Sequence, residues 1–342
     1  MGKVEAICTG VKKGGKKTPQ PMARLVADHG IENDAHAGSG HRQVSLLTAE
    51  DIATMPLAVK PGDFAENLIV SGVDLAGLGL GSRLRLGGEA ELTLTQLGKV
   101  CHQRCAIYEQ TGDCIMPRTG VFSRVLRGGT VTRGEVVEVL EQVPRERFQA
   151  VILTISDRCA RGEALDTAGP VVRRLLGSVL DAHVYASEIL LDEAGQIAAR
   201  LRHYSDGHSI DLVVTVGGTG FAPRDVTPEA VAAVIERPTP GLDEAMRRAS
   251  MEKTPMAMLS RAASGIRGAT LIVSLPGSER AAVENLQAIL AALQHGLAKL
   301  RGDPSDCGRL NSGLAPDHFH PHRHFVLERN GQERRRVDLE IG

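Results

Sequence analysis

The chain has 342 residues, 42% of them hydrophobic, a length beyond that at which one core usually stops growing, so two domains are expected. Its 40 Lys and Arg against 41 Asp and Glu leave a formal net charge of -1, which argues against nucleic-acid binding driven by bulk charge and requires any anionic ligand to be met locally. No apolar run approaches a membrane span and the first residues carry no stretch of signal-peptide length, so a cytoplasmic protein with no membrane partner is expected.

Up to about Leu140 the pattern favours short strands. Ser82–Leu94 alternates apolar and polar residues around Gly87-Gly88, a hairpin signal, and Val131–Leu140 adds another. Many short strands and few helical periodicities predict a closed or partly closed β-barrel over residues 1–141. The polar stretch 142–149, with Pro144, reads as a linker.

From Val151 strands and helices alternate, over a domain expected to span 150–302. Val151–Ser156, Val184–Leu191, Asp211–Val216 and Thr270–Ser274 read as strands. Pro170 is expected to open a helix with Val171, Val172, Leu175, Leu176 and Val179 on one face. Ser278 is a candidate N-cap for a long helix that turns Leu286, Ile289, Leu290, Leu293 and Leu297 inward. The fold class is therefore a β-barrel followed by a three-layer α/β domain with a mostly parallel sheet. Residues 303–342 form a polar tail. Its His318, His320, His322 and His324 alternate and read either as exposed tail residues or as ligands of a transition metal.

The apolar run Asp211–Val216 empties into Gly217-Gly218-Thr219-Gly220, then Asp225. Ligands of open α/β sheets sit beyond the carboxyl ends of such strands, and glycines let backbone N–H groups approach phosphate oxygens. A carboxylate repels phosphate unless Mg²⁺ lies between, so Asp225 points to a metal-assisted phosphate or nucleotide reaction. The bland alternative is a tight turn before a helix capped by Thr227, with Pro228 first.

Six cysteines are too sparse for a disulfide scaffold. Cys101, His102, Cys105 and Cys114 admit three readings: buried thiols, a zinc site, or an activated Cys101 beside Lys99, His102 and Arg104. Lys12, Lys13, Lys16 and Lys17, with His36, His41 and Arg42, form either a solvated basic group or a contact for a ligand phosphate.

The second half resembles molybdopterin adenylyltransferases of the MogA and gephyrin G-domain type. The resemblance rests on Thr154–Arg158, Leu191-Asp192-Glu193, Val216–Gly220 with Arg224–Glu229, Pro240–Arg247, Met258–Arg261 and Leu275–Ser278, in family order. It implies a homotrimer that joins the phosphate of molybdopterin to AMP from Mg-ATP and releases pyrophosphate. On that basis Asp192 and Asp225 hold Mg²⁺ and are catalytic. The substrate and nucleotide contacts would be Ser156, Asp157, Gly217, Gly218, Thr219, Gly220, Glu229, Glu244, Ser260, Arg261, Pro276, Gly277 and Ser278. A helix N-terminal acid remains the other reading of Asp192, and simple capping that of Ser278.

The first half resembles a MOSC domain, through His29–Gly38, His41–Ser45, Gly62–Leu68 and Thr95–Gly129. Cys101 falls where that family has its reactive cysteine, although Lys99-Val100 precede it where other members place proline. The resemblance implies a persulfide relay through Cys101 or a pterin contact, with a cysteine desulfurase as sulfur donor and a molybdenum-inserting partner. The competing functions are a non-catalytic cofactor carrier and a MOSC-based sulfurtransferase.

Overall fold

A computed structural model describes residues 2–13, 15–56, 58–98, 108 and 114–304. The first part consists of β1 (Gly2–Thr9), β2 (Thr18–Gln20), β3 (Met22–Val26), β4 (Gly30–Ile31), β5 (Val44–Thr48), α1 (Ala49–Ala53) and β6 (Leu68–Ser71). It continues with β7 (Arg83–Leu86), β8 (Ala90–Leu97), β9 (Val121–Arg127), β10 (Gly129–Thr132) and β11 (Val136–Glu141). Strands β11-β7-β8-β9-β5-β6-β1 are hydrogen-bonded in that order, and pairing of Gly2 with Val137 and Lys3 with Val136 closes them into a barrel. Closure removes the exposed edges that an open sheet would present.

The sequence dictates much of this locally. In the β7–β8 hairpin Leu84 faces Leu92 and Leu86 faces Ala90, all fully buried, while on the other face Arg83 and Glu91 form a diagonal ion pair at 2.5 Å. Gly87 turns the chain at φ +59°, where a Cβ would lie 2.4 Å from Glu135 Oε2. The expected second hairpin does not form. β10 pairs with β3 and β11 with β7 and β1, because Val131 is buried against β3 while Val137 joins the barrel interior.

The second part contains β12 (Gln149–Ile155), α2 (Asp157–Ala160), α3 (Ala168–Val179), β13 (His183–Leu190), α4 (Ala194–Gly207), β14 (Leu212–Val216) and α5 (Thr227–Ala232). There follow β15 (Arg237–Pro238), α6 (Pro240–Met251), β16 (Gly265–Arg267), β17 (Thr270–Leu275) and α7 (Glu279–Leu300). The sheet order is β13-β12-β14-β17-β16-β15, parallel through β17 and antiparallel beyond. Alternate residues serve opposite faces. Ile152, Val214 and Val273 pack with α3 and α7, and Val151, Val213 and Ile272 with α4 and α5, so the strands read as continuous apolar runs. Each such fully buried side chain contributes about 1.5–3 kcal/mol of apolar burial.

Ser278 caps α7, its Oγ accepting the Ala281 N–H at 3.3 Å, and the five expected apolar residues of that helix are buried. α3 starts two residues before Pro170, which is tolerated in a first turn whose N–H groups have no helical partner. Val179, expected inward, is 51% exposed, because the helix ends there and Leu180 takes its place in the core.

The barrel and the α/β part share a packed seam. Leu80 is buried among Val151, Leu153 and Ile155, and Leu97 accepts a hydrogen bond from Ser209 Oγ at 2.8 Å. No helix among the described residues is long and apolar enough to cross a membrane.

Candidate functional site

The carboxyl ends of β12, β14 and β17 converge on the glycine turn. Gly217 and Gly218 have φ of +111° and +63°. A Cβ on Gly217 would sit 2.3 Å from the Ile155 carbonyl oxygen, and one on Gly218 2.4 Å from Thr227 Oγ1 and 2.9 Å from Asp192 Oδ1, so both the backbone conformation and the space require glycine. Thr227 does not cap α5, contrary to the reading of the segment as a simple capped turn. Val226 holds the cap position, and the buried Thr227 hydroxyl donates to the Gly217 carbonyl at 2.9 Å while its N–H donates to the Gly218 carbonyl at 3.1 Å. The residue that begins the helix therefore clamps the turn.

Two clefts of about 270 Å³ each flank this turn. The first is polar and is lined by Thr154, Ser156, Cys159, Asp166, Asp192, Gly217, Gly218, Asp225 and Gly277. The second is lined by Thr219, Gly220, Arg247, Ser250, Thr254, Ser260, Pro276 and Asn285, with Met256 and Leu259. The structure thus brings together Asp192, Asp225, Ser156 and the whole turn, with Gly277 on one side and Ser260 and Pro276 on the other.

The acids differ in their surroundings. Asp157 and Asp192 exchange main-chain bonds, Asp157 N–H to Asp192 Oδ2 at 2.9 Å and Asp192 N–H to Asp157 Oδ1 at 3.1 Å. Arg224 grips both Asp157 oxygens, at 2.9 and 2.7 Å, and holds that carboxyl below its usual range. Burial, together with the negative charges of Asp157 and Asp225, pushes Asp192 upward. Asp225 accepts the Ala222 N–H at 2.8 Å and leans on Gly220, where a Cβ would come within 2.8 Å of its Oδ2. Two carboxylates set against one glycine turn, one of them strained by like charge, suit a divalent cation with oxygen ligands.

Other residues expected at the site have different surroundings. Arg261 Nε donates to the Gly220 carbonyl at 2.8 Å, its Nη2 to the Asp225 carbonyl at 2.5 Å, and its Nη1 pairs with Glu229. The guanidinium is occupied by the protein and braces the turn, and Glu229 completes that brace. Glu244 is exposed on α6 and lines neither cleft, whereas its neighbour Asp243 is buried and accepts both the N–H (3.0 Å) and hydroxyl (2.6 Å) of Ser264. Ser278 is engaged as the cap of α7. Sequence reasoning missed Asp166, which accepts from Thr154 Oγ1 at 2.7 Å and from Gly169 N–H at 2.9 Å, and Arg247, a cation at the second cleft. The signal for Asp166 was its place before Thr167 at a helix start.

Residues 151–295 match the MoCF_biosynth family, described as a probable molybdopterin binding domain, and residues 33–138 match the MOSC domain. A molybdopterin adenylyltransferase of Helicobacter pylori strain J99 is 39% identical over 145 residues, which cover 42% of this chain and 82% of that protein. The chain belongs to the MoCF_biosynth family, with a MOSC domain ahead of it. The molybdenum cofactor synthesis protein cinnamon of Drosophila melanogaster is 42% identical over 154 residues, or 45% of this chain and 26% of that protein. The chain therefore spans about a quarter of the length of cinnamon, and 23% of Dictyostelium discoideum gephyrin. Among solved structures, the molybdopterin biosynthesis enzyme MoaB of Thermus thermophilus is 45% identical, covering 46% of this chain and 99% of that one, with a TM-score of 0.44.

In the MOSC part, Cys101 lies outside the described residues, as do Lys99, His102, Arg104, Cys105 and the tail histidines. Cys114 is buried. Cys8 is buried too, and burial and the Glu66 charge push its thiol up to about 12, which leaves it protonated and unreactive. Lys17, expected in a basic loop, is fully buried, its Nζ 2.9 Å from Asp34 Oδ1. Burial opposes the Asp34 charge, but hydrogen bonds from His36 and the contact with Lys17 hold the carboxyl well below its usual range. This pair is buried and is not free for a ligand phosphate.

Proposed function

We propose that the α/β domain binds molybdopterin and Mg-ATP across the two clefts and transfers AMP to the terminal phosphate of the pterin. The observation that carries this reading is the Gly217–Gly220 turn, which stands between two clefts with Asp192 and Asp225 leaning on it. An oxygen of the molybdopterin phosphate attacks the α-phosphorus of ATP, the bond from that phosphorus to the α–β bridging oxygen breaks, and pyrophosphate leaves. Both reactants are anions, so positioning and charge neutralisation supply most of the catalysis.

The Gly217 N–H is given to the Leu275 carbonyl at 3.0 Å, so the N–H groups of Gly218, Thr219 and Gly220 bind phosphate oxygens, helped by the α7 N-terminus next to Gly277. Asp192 and Asp225 would hold Mg²⁺, which when bound neutralises phosphate charge and polarises the α-phosphate. Arg261 and Thr227 keep the turn in its left-handed conformation before substrate arrives. Asp157, neutralised by Arg224, supports Asp192 through the two main-chain bonds and adds little net charge to the site. In the second cleft Arg247 and Ser250 offer donors beside the apolar surface of Met256 and Leu259, with Asn285 Nδ2 holding the Ser250 hydroxyl at 2.7 Å, a combination suited to a polar pterin ring.

The same reading takes residues 1–141 as the barrel, 142–149 as the linker and 150–302 as the transferase, acting as a homotrimer, with pterin held by the barrel or sulfur relayed through Cys101 from a desulfurase. Pyrophosphate release from purified full-length protein given molybdopterin and Mg-ATP tests it, with adenylylated pterin identified by chromatography. Release that is abolished in Asp225→Ala is expected. Tight pterin binding without release overturns the transferase in favour of a carrier.

A further inference from the structure

Three histidines meet at the seam between barrel and α/β domain, and none of them lines either cleft. His41 comes from the barrel segment ahead of β5, His203 from α4, and His208 ends that helix. One ring nitrogen from each lies within 4.8 Å of the other two. The Nε2 atoms of His203 and His208 are 3.2 Å apart. Two ligands on a tetrahedral ion with bonds of about 2.0–2.1 Å stand roughly 3.3 Å apart.

Backing acceptors stand behind two of the three rings. The Thr95 carbonyl lies 2.6 Å from His208 Nδ1 and takes its N–H, leaving the Nε2 lone pair directed at His203. The next residue on β8, Gln96, lies 3.1 Å from His41 Nε2, and the Gly207 backbone also hydrogen-bonds that ring. Gln96 is itself held, its amide donating to the Gly98 carbonyl at 2.9 Å and its Oε1 also accepting from Arg42. Such backing acceptors orient imidazole ligands in metal sites. Burial disfavours the charged form of all three rings. Of the nearby cations, Arg200 is paired with Glu188 and Arg42 is directed at Gln96.

We propose that His41, His203 and His208 together bind one divalent transition-metal ion of the zinc class, and that this ion ties the MOSC barrel to the α/β domain. Imidazole-only ligation suits zinc, cobalt or nickel and not the oxygen-seeking magnesium of the cleft. The competing outcome is simple packing of the rings, since His41 and His208 lie 4.3 Å apart with planes tilted by 33° and the His203–His208 contact at 3.2 Å can be a hydrogen bond.

The test uses the full-length chain in which His318, His320, His322 and His324 are replaced by Ala, so that the tail cannot compete. Titration with Co²⁺ should give one ion per chain, visible ligand-field absorption, and displacement by Zn²⁺. His41→Gln in one domain and His203→Gln in the other should each weaken binding at least about tenfold, with the unfolding temperature without metal staying near that of the parent. Absence of a bound ion, or affinity unchanged in both variants, overturns the proposal and leaves the rings as packing. X-ray absorption on the zinc-loaded parent gives a count that does not depend on the variants: three imidazole ligands are expected, and fewer than three would refute the assignment.

Discussion

Arg224 and Asp157 form a two-pronged ion pair at 2.7 and 2.9 Å, and through it the chain separates two neighbouring acids into different roles. Asp157 spends its charge on the arginine and its N–H on Asp192, while the Asp192 carboxylate, which forms no ion pair of its own among the described residues, lines the cleft. If that carboxylate and Asp225 hold the cation, removing either charge should cost turnover and not pterin affinity. Asp192→Asn and Asp225→Asn are expected to lower pyrophosphate release by roughly 100-fold or more, with the molybdopterin Kd within about threefold. Binding by fluorescence beside steady-state kinetics separates the two effects, and equal losses in both would count against metal-assisted transfer.

Gly218→Ala should destabilise the protein and silence the site together. Its φ of +63° costs an L-residue about 1–2 kcal/mol, and the added methyl would meet Thr227 Oγ1 and Asp192 Oδ1. Gly241→Ala in the first turn of α6 is the control, because nothing lies within 4 Å of a Cβ there. Thermal unfolding should show a lowered Tm for the first variant and an unchanged or raised one for the second.

Arg261 reaches the Gly220 carbonyl, the Asp225 carbonyl and the Glu229 carboxylate at once, a fork that a lysine ammonium cannot reproduce. Arg261→Lys is expected to lower kcat by about tenfold through a loosened turn, and Glu229→Gln by less, because two of the three bonds survive. Equal kcat for Arg261→Lys and the parent protein would remove the brace from the mechanism.

In the barrel, Asp34 and Lys17 have no solvent exposure at their side chains. Asp34→Asn leaves a buried ammonium without its counter-ion and should cost about 3–5 kcal/mol at neutral pH. The Asp34 carboxyl titrates below its unfolded value of about 3.9, so its stabilisation is complete above that pH and is lost as the pH falls toward the folded-state value. Denaturant melts from pH 6 to 2 should therefore show the wild type losing stability below about pH 4, and the variant losing less over the same window.

The elements that were legible in sequence carry a local signature. Leu84, Leu86, Leu92 and Leu94 alternate about Gly87-Gly88, and period-two alternation with a glycine turn has few other solutions. Val131–Leu140 carries a similar pattern but forms no hairpin, because which strand a strand pairs with is settled by burial elsewhere in the barrel. The motif around Glu244 shows the same limit on a helix. One position is about 100° of rotation, enough to bury Asp243 against Ser264 and leave Glu244 in solvent.

Sequence alone determined the two-part architecture, the glycine turn and Asp225 beyond it, since each follows from periodicity, φ preference or the carboxyl end of a buried strand, whereas Asp192 joined them through the family resemblance. Tertiary structure decided what the neighbours do. It made Arg261 a brace, made Thr227 a clamp, buried Lys17 on Asp34, and gathered His41, His203 and His208 from two domains into one cluster. These are contacts between residues far apart in the chain, where Coulomb interaction, desolvation and packing act over a few ångströms of space and leave no trace in local sequence.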